Sequence, residues 1–420
     1  MNIARHTLVA FSAFLCLPVL STAQDGQADT TKGNQQQVET QELRPSWINA
    51  NVSMEERSAV EMGLANSYGH DSAVNNVNGV SSQFISTQGT LGLTERTRTS
   101  SFTLRHDATI LQFPGSGLDF QQYHWTTLNL THMASRRTTW GVNAANAYGA
   151  DAARASSSLS LAAVSNTSID NNSVLAGLIT GNVLRQFLSG VVDHQASETT
   201  AFSLGANASF QNFLGAAAST QQYGVNGSIR KYINEGFLLG VRADGVQQNY
   251  GGGSCTTASL LGFTTLQLTR SLQVDGSIGP AFGAAQCTGN YQYQALLSSQ
   301  TVRGNRIYVG TSRKRGNGVV AGSLWETSGF GGMQVGNPRT FTAAINGGYT
   351  SYHGGTAATT NSDVSGYFVS GEFHRPVARN AEWSFTIRQF QRSVSAVDLS
   401  RTIFFLTFTW HKEHGGRYGY

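Results

Sequence analysis

The sequence predicts an all-β chain, a transmembrane antiparallel up-and-down β-barrel of about 18 strands, with 16 as the alternative. Three observations carry that prediction. Segments of roughly 12 to 15 residues alternate apolar and polar side chains with period two, the signature of strands. The connectors between them are alternately short and long, as in a barrel with turns at one end and loops at the other. Charged residues make up only 12% of the chain, and past the first two dozen residues no apolar run is long enough for a spanning helix.

In chain order, residues 1–23 read as a cleaved signal peptide. Arg5 and His6 form a short polar head, "TLVAFSAFLCLPVL" is the apolar segment, and "STA" supplies small residues for cleavage before Gln24. Leu15 before Cys16 does not suit lipoprotein processing. Residues 24–56 are poor in apolar side chains and contain a Gln run, so a flexible periplasmic tail is expected. Asp25, Asp29, Glu39, Glu42, Glu55 and Glu56 outweigh Lys32 and Arg44 there, whereas the whole chain has a net charge of +4. An acidic tail thus precedes a basic body, which favours anionic solutes or lipid headgroups.

The barrel is expected over residues 57–411. Strands are predicted near 57–69, 84–95, 99–111, 120–133, 138–149, 183–196, 199–212, 219–232, 237–250, 256–269, 272–286, 291–302, 305–315, 323–335, 339–352, 363–376, 382–394 and 400–411. In "SFTLRHDATIL", Phe102, Leu104, Ala108 and Ile110 oppose Arg105 and Asp107. In "GFLLGVRADGVQ", Phe237, Leu239 and Val241 oppose Arg242 and Asp244. In "EWSFTIRQFQR", Trp383, Phe385 and Ile387 oppose Glu382, Arg388 and Arg392. One face of each strand is thus fit for lipid and the other for water. Aromatic residues toward strand ends (Tyr68, Tyr123, Trp125, Trp140, Tyr250, Tyr349, Trp383, Trp410) are candidates for interfacial girdles.

One hairpin tests register. Centred on Ser271, it sets Leu268 opposite Val274, Gly262 opposite Pro280 and Leu260 opposite Phe282, all of one parity. The same symmetry sets Cys255 opposite Cys287, the two cysteines left after leader removal, and predicts a disulfide formed on the oxidising export route.

The last strand, "RTIFFLTFTW", puts Phe404, Leu406, Phe408 and Trp410 on one apolar face. With the strand–turn rhythm and the arginine-rich short turns, this ending resembles Gram-negative outer-membrane β-barrel proteins over roughly residues 57–411. The chain is nearest in style to porins associated with exopolysaccharide secretion, and more loosely resembles alginate-export barrels. The resemblance implies that Phe404, Leu406, Phe408 and Trp410 form the signal read by the barrel-assembly machinery, and that the partners are outer-membrane lipid and small solutes or polysaccharide. It leaves open whether the barrel is a homotrimer. Two features depart from the pattern: "HKEHGGRYGY" continues past the terminal aromatic, so residues 412–420 are expected to be a periplasmic extension, and no "PEFGG"-type constriction motif occurs.

Pore-lining candidates are Arg105, Asp107, Arg242, Asp244, Arg306, Lys314, Glu372, Glu382, Arg388 and Arg392. Unpaired, the arginines would make an anion-attracting wall; paired with the carboxylates, a neutral hydrated one. His70 and Ser72 in "GHDSAVNN" have the His-x-Ser spacing of outer-membrane phospholipases, but Ala73 stands where that pattern needs Asn, so an enzyme is not expected. No HExxH, Cys-x-x-Cys, EF-hand, zinc-finger or RRM pattern occurs, and neither a cofactor nor nucleic acid is expected. The functions left are a pore for small solutes or exported polysaccharide and, as the alternative, a non-conducting surface or adhesion barrel whose loops bind partners.

Overall fold

A computed structural model describes residues 57–74, 80–116, 120–149, 182–214, 219–250, 253–269, 271–285, 287, 289–301, 305–316, 324–337, 339–353, 364–394 and 397–417. The expected leader, the tail at 24–56 and the long 150–181 connector lie outside the described residues.

Eighteen strands follow in order. They are β1 (Arg57–Asp71), β2 (Ser82–Arg96), β3 (Ser100–Gln112), β4 (Gln121–Ser135), β5 (Thr138–Gly149), β6 (Asn182–Gln195), β7 (Thr200–Leu214), β8 (Ser219–Asn234) and β9 (Phe237–Tyr250). The second half comprises β10 (Gly253–Gln267), β11 (Leu272–Ala285), β12 (Asn290–Gln300), β13 (Arg306–Gly316), β14 (Leu324–Asn337), β15 (Phe341–His353), β16 (Val364–Ala378), β17 (Ala381–Val394) and β18 (Val397–Arg417). Each pairs antiparallel with its sequence neighbours, and β18 returns to pair with β1, closing the sheet. Closure leaves no edge of unpaired backbone groups, the condition for a β-structure in hydrocarbon. The 16-strand alternative is thereby removed.

Parity fixes the wall. Leu204, Ile278, Val309, Ile345, Phe385 and Leu406 all lie on the outer face and are exposed, up to 67% at Leu204. In water so broad an apolar surface would aggregate; against lipid it is the favourable face. The turns joining β2 to β3, β4 to β5, β6 to β7, β8 to β9 and β16 to β17 fall at one end, where the described N- and C-terminal strand ends also meet.

Three local expectations need correction. The β10–β11 register is centred on residue 270, not 271: Leu266 pairs with Val274, Ala258 with Phe282 and Cys255 with Ala285. A shift of two residues between partners keeps every side chain on its face, which is why alternation could not detect it. The ladder is interrupted between Ser259↔Ala281 and Gly262↔Ile278, where Pro280 has no N–H to contribute. Cys255 and Cys287 are nevertheless joined in a disulfide, with Cα atoms 5.3 Å apart. Second, the chain past Trp410 is not a free extension. β18 runs to Arg417, and His411–Arg417 pair with Arg57–Gly63 of β1, including an Arg57–Glu413 ion pair. The polar composition of this segment hid a strand whose hydrogen bonds are made by backbone alone. Third, of the girdle candidates, Tyr68, Tyr349, Trp383 and Trp410 are outward and exposed, but Tyr123 is buried within the barrel wall's inner packing.

Candidate pore wall

Inward parity brings the predicted charges into the lumen and pairs most of them. Arg105 Nε donates to Asp107 Oδ2 at 2.9 Å, and Arg105 also lies 3.6 Å from Glu61 of β1. Arg242 Nε donates to Asp244 Oδ1 at 2.6 Å. Both are i,i+2 pairs on one strand face, so their proximity was set by spacing. Across strands, Arg388 of β17 donates to Glu372 of β16 at 2.9 Å, and His374 bridges Glu372 at 3.1 Å and Glu382 at 3.8 Å. Arg306 stacks on Tyr308, 5.7 Å from its ring centre, and Lys314 stands opposite Glu326 in the β13–β14 register. The Arg392 side chain lies outside the described residues.

Two further lumen pairs were missed in the sequence because their partners are distant in the chain. Arg230 of β8 approaches Asp193 of β6 at 3.4 Å. Arg401 of β18 grips Asp71 of β1 with a two-pronged contact, 3.1 Å from Nε and 2.7 Å from the terminal nitrogen. Both of its side chains are almost wholly buried, at 2% and 1% exposed. Planar guanidinium on carboxylate is the strong form of this contact. It straddles the strand pair that closes the barrel.

The lumen is also less polar than the alternation implied. Phe84, Leu111, Phe113, Tyr123 and Ile403 pack together with Val74, joined by Phe390 and Phe405. A second cluster, Leu296, Tyr308, Phe330 and Phe368, also packs against Phe390. Apart from Val74 and Phe113, which follow the ends of β1 and β3, these side chains stand on the inward parity of β2–β4 and β12–β18. Small residues make room for them: a Cβ at Gly310 would collide with the Phe330 ring, and one at Gly240 with the Phe263 ring. The available signal was an aromatic residue out of phase with its strand's alternation.

The opposite sector is different. The inward positions Ser203, Gly205, Asn207, Ser209 and Gln211 of β7 face Gln222, Gly224, Asn226 and Ser228 of β8. Asn207 lies over Gly224 and Asn226 over Gly205, while Gln248 of β9 donates to Gln222 at 3.4 Å. Amide and hydroxyl groups dominate this wall.

Both members of the His-x-Ser pair contact β18. The His70 ring packs on Phe404, 5.4 Å between ring centres. The Ser72 hydroxyl accepts from the Thr402 backbone N–H at 2.8 Å, and Asp71, the nearest carboxylate in sequence, is held by Arg401.

A closed 18-stranded antiparallel wall, apolar outside and with polar, ion-paired and aromatic sectors inside, defines a transmembrane β-barrel of the outer-membrane type. No protein-family model and no curated protein sequence matches the chain. Among solved structures it is similar to OpdQ of Pseudomonas aeruginosa, at 9% identity over 85% of this chain and 99% of that one, with a TM-score of 0.45. It is similar to OccAB4 of Acinetobacter baumannii at 8% identity over 86% of this chain and 100% of that one, again with a TM-score of 0.45. The ferric enterobactin receptor PfeA of Pseudomonas aeruginosa, as a mutant, gives 9% identity, coverage of 84% and 80%, and a TM-score of 0.44. At these values the likeness bears no weight, and the class rests on the wall itself.

Proposed function

We propose that the barrel is a passive pore for small polar solutes, hydroxyl-bearing ones foremost, with little anion bias. The observation that carries this is the Ser, Asn and Gln wall of β7 and β8, which offers neutral donors and acceptors. An ion-paired lumen supports the low bias, because Arg105, Arg242 and Arg388 each have a carboxylate within 3 Å. Exported polysaccharide would meet the same chemistry. The outward face Phe404, Leu406, Phe408 and Trp410 supports recognition of the last strand by the assembly machinery; Phe408 is locked there against Trp383, 5.0 Å between ring centres.

The test is single-channel conductance of the refolded, heat-modifiable protein in planar bilayers. Discrete openings that neutral oligosaccharides partly block are expected. A folded barrel without conductance would overturn the pore and leave the surface or adhesion alternative.

A further inference from the structure

Parity assigns two arginines to the wrong side of the barrel for a pore. On β13 the outward positions are Ile307, Val309, Thr311, Arg313 and Arg315, opposite outward residues Met333, Gly331, Gly329, Thr327 and Trp325 of β14. Ile307 and Val309 are exposed to lipid, while Tyr308 and Ser312 between them are buried inward. Arg313 and Arg315 therefore project from the outer wall at the end of the strand that leads to the loops. Both guanidinium groups lie over the ring of Trp325, 5.7 Å and 4.8 Å from its centre. Trp325 is only 4% exposed, and its indole N–H has no hydrogen-bond partner.

The neighbours on the same outer face are hydroxyls and an imidazole. Tyr293 of β12 and Thr327 flank Arg313, Ser351 of β15 pairs with Thr327, and His353 pairs with Trp325. Ser351 and His353 are hydrogen-bonded at 3.0 Å. Among the described residues, the outward face of β12–β15 carries no aspartate or glutamate. The other outward cations of the described strands, Lys231, Arg375 and Lys412, all lie at the short-turn end. A paired, aromatic-backed positive site thus occurs at the loop end of the outer wall, the end that faces outward when short turns are periplasmic.

We propose that Arg313, Arg315 and Trp325 form a site for the phosphate of an outer-leaflet lipid headgroup. Guanidinium groups bind phosphate in a forked geometry, and a cluster at the membrane surface gains from the anionic leaflet. The apolar Val309 and Tyr349 surface below would hold the acyl chains, which distinguishes a lipid from a free anion.

The experiment is native mass spectrometry of the full-length refolded barrel in neutral detergent. Three probes are titrated: diphosphorylated lipid A, the same glycolipid stripped of phosphate, and inorganic phosphate. The phosphorylated lipid alone should remain bound. Arg313→Ala/Arg315→Ala should weaken it roughly 30-fold, from about 1 kcal/mol per basic residue at a charged surface. If that variant fails to assemble, Arg313→Gln/Arg315→Gln keeps the stems and should show the same loss. Equal retention by either folded variant, or of the stripped glycolipid, would overturn the site. Inorganic phosphate competing as well as the phosphorylated lipid would overturn the lipid assignment.

Discussion

Asp71 and Arg401 were not singled out in the sequence, and no local pattern could have done so. They lie 330 positions apart and meet because β18 closes on β1. Burying both charges costs solvation that their mutual contact, with the Ala73 N–H donated to Asp71 at 3.0 Å, offsets, so removing one partner is worse than removing both. Asp71→Ala or Arg401→Ala should each destabilise the barrel by about 3 to 5 kcal/mol, the range for an orphaned buried charge. The double variant should lose less than the sum. Urea-dependent folding into detergent micelles measures this, and additive losses would mean the pair is not coupled. By contrast, Arg105–Asp107 and Arg242–Asp244 were legible, since an i,i+2 spacing on a strand sets both groups on one face.

At the level of elements, the last strand shows where polarity misleads. Phe404, Leu406 and Trp410 are on the lipid face as their alternation required. The segment from His411 looked like a solvated tail because it has few apolar residues, yet its backbone pairs with β1 through Arg417. Above the hydrocarbon a strand needs only its ladder, not an apolar face. Deleting residues 411–420 should therefore lower the temperature at which the folded band disappears in heat-modifiability gels. An unchanged transition would show that the His411–Arg417 pairing contributes nothing. Strand existence was readable throughout, including for the first strand; register was less so, and the two-residue offset at β10–β11 is the instance.

On the scale of the whole barrel, the lumen has two unlike sectors, an aromatic one through β2–β4 and β12–β18 and an amide-rich one at β7–β8. The solute path would follow the second, where polar groups remain hydrated. Ion pairing keeps the field there small, so selectivity should respond to unbalancing a pair. Asp244→Asn removes the carboxylate beside Arg242 and should shift the reversal potential in a salt gradient toward anions. A shift toward cations, or none, would place this pair away from the conducting path.

The sequence by itself determined that this chain is a closed β-barrel of the outer-membrane kind. Period-two alternation specifies strands and their faces, the connector rhythm specifies antiparallel neighbours, and an apolar outer face on a closed wall is matched by lipid. Alternation is a local property, visible within some fifteen residues, and the connector rhythm needs only a few successive strands. Only the tertiary structure decided which charges are neutralised across the seam, which aromatics fill the lumen, and that Arg313 and Arg315 stand outside on Trp325. Such contacts depend on strand register, and an even-numbered slip leaves every polarity pattern intact while changing every partner.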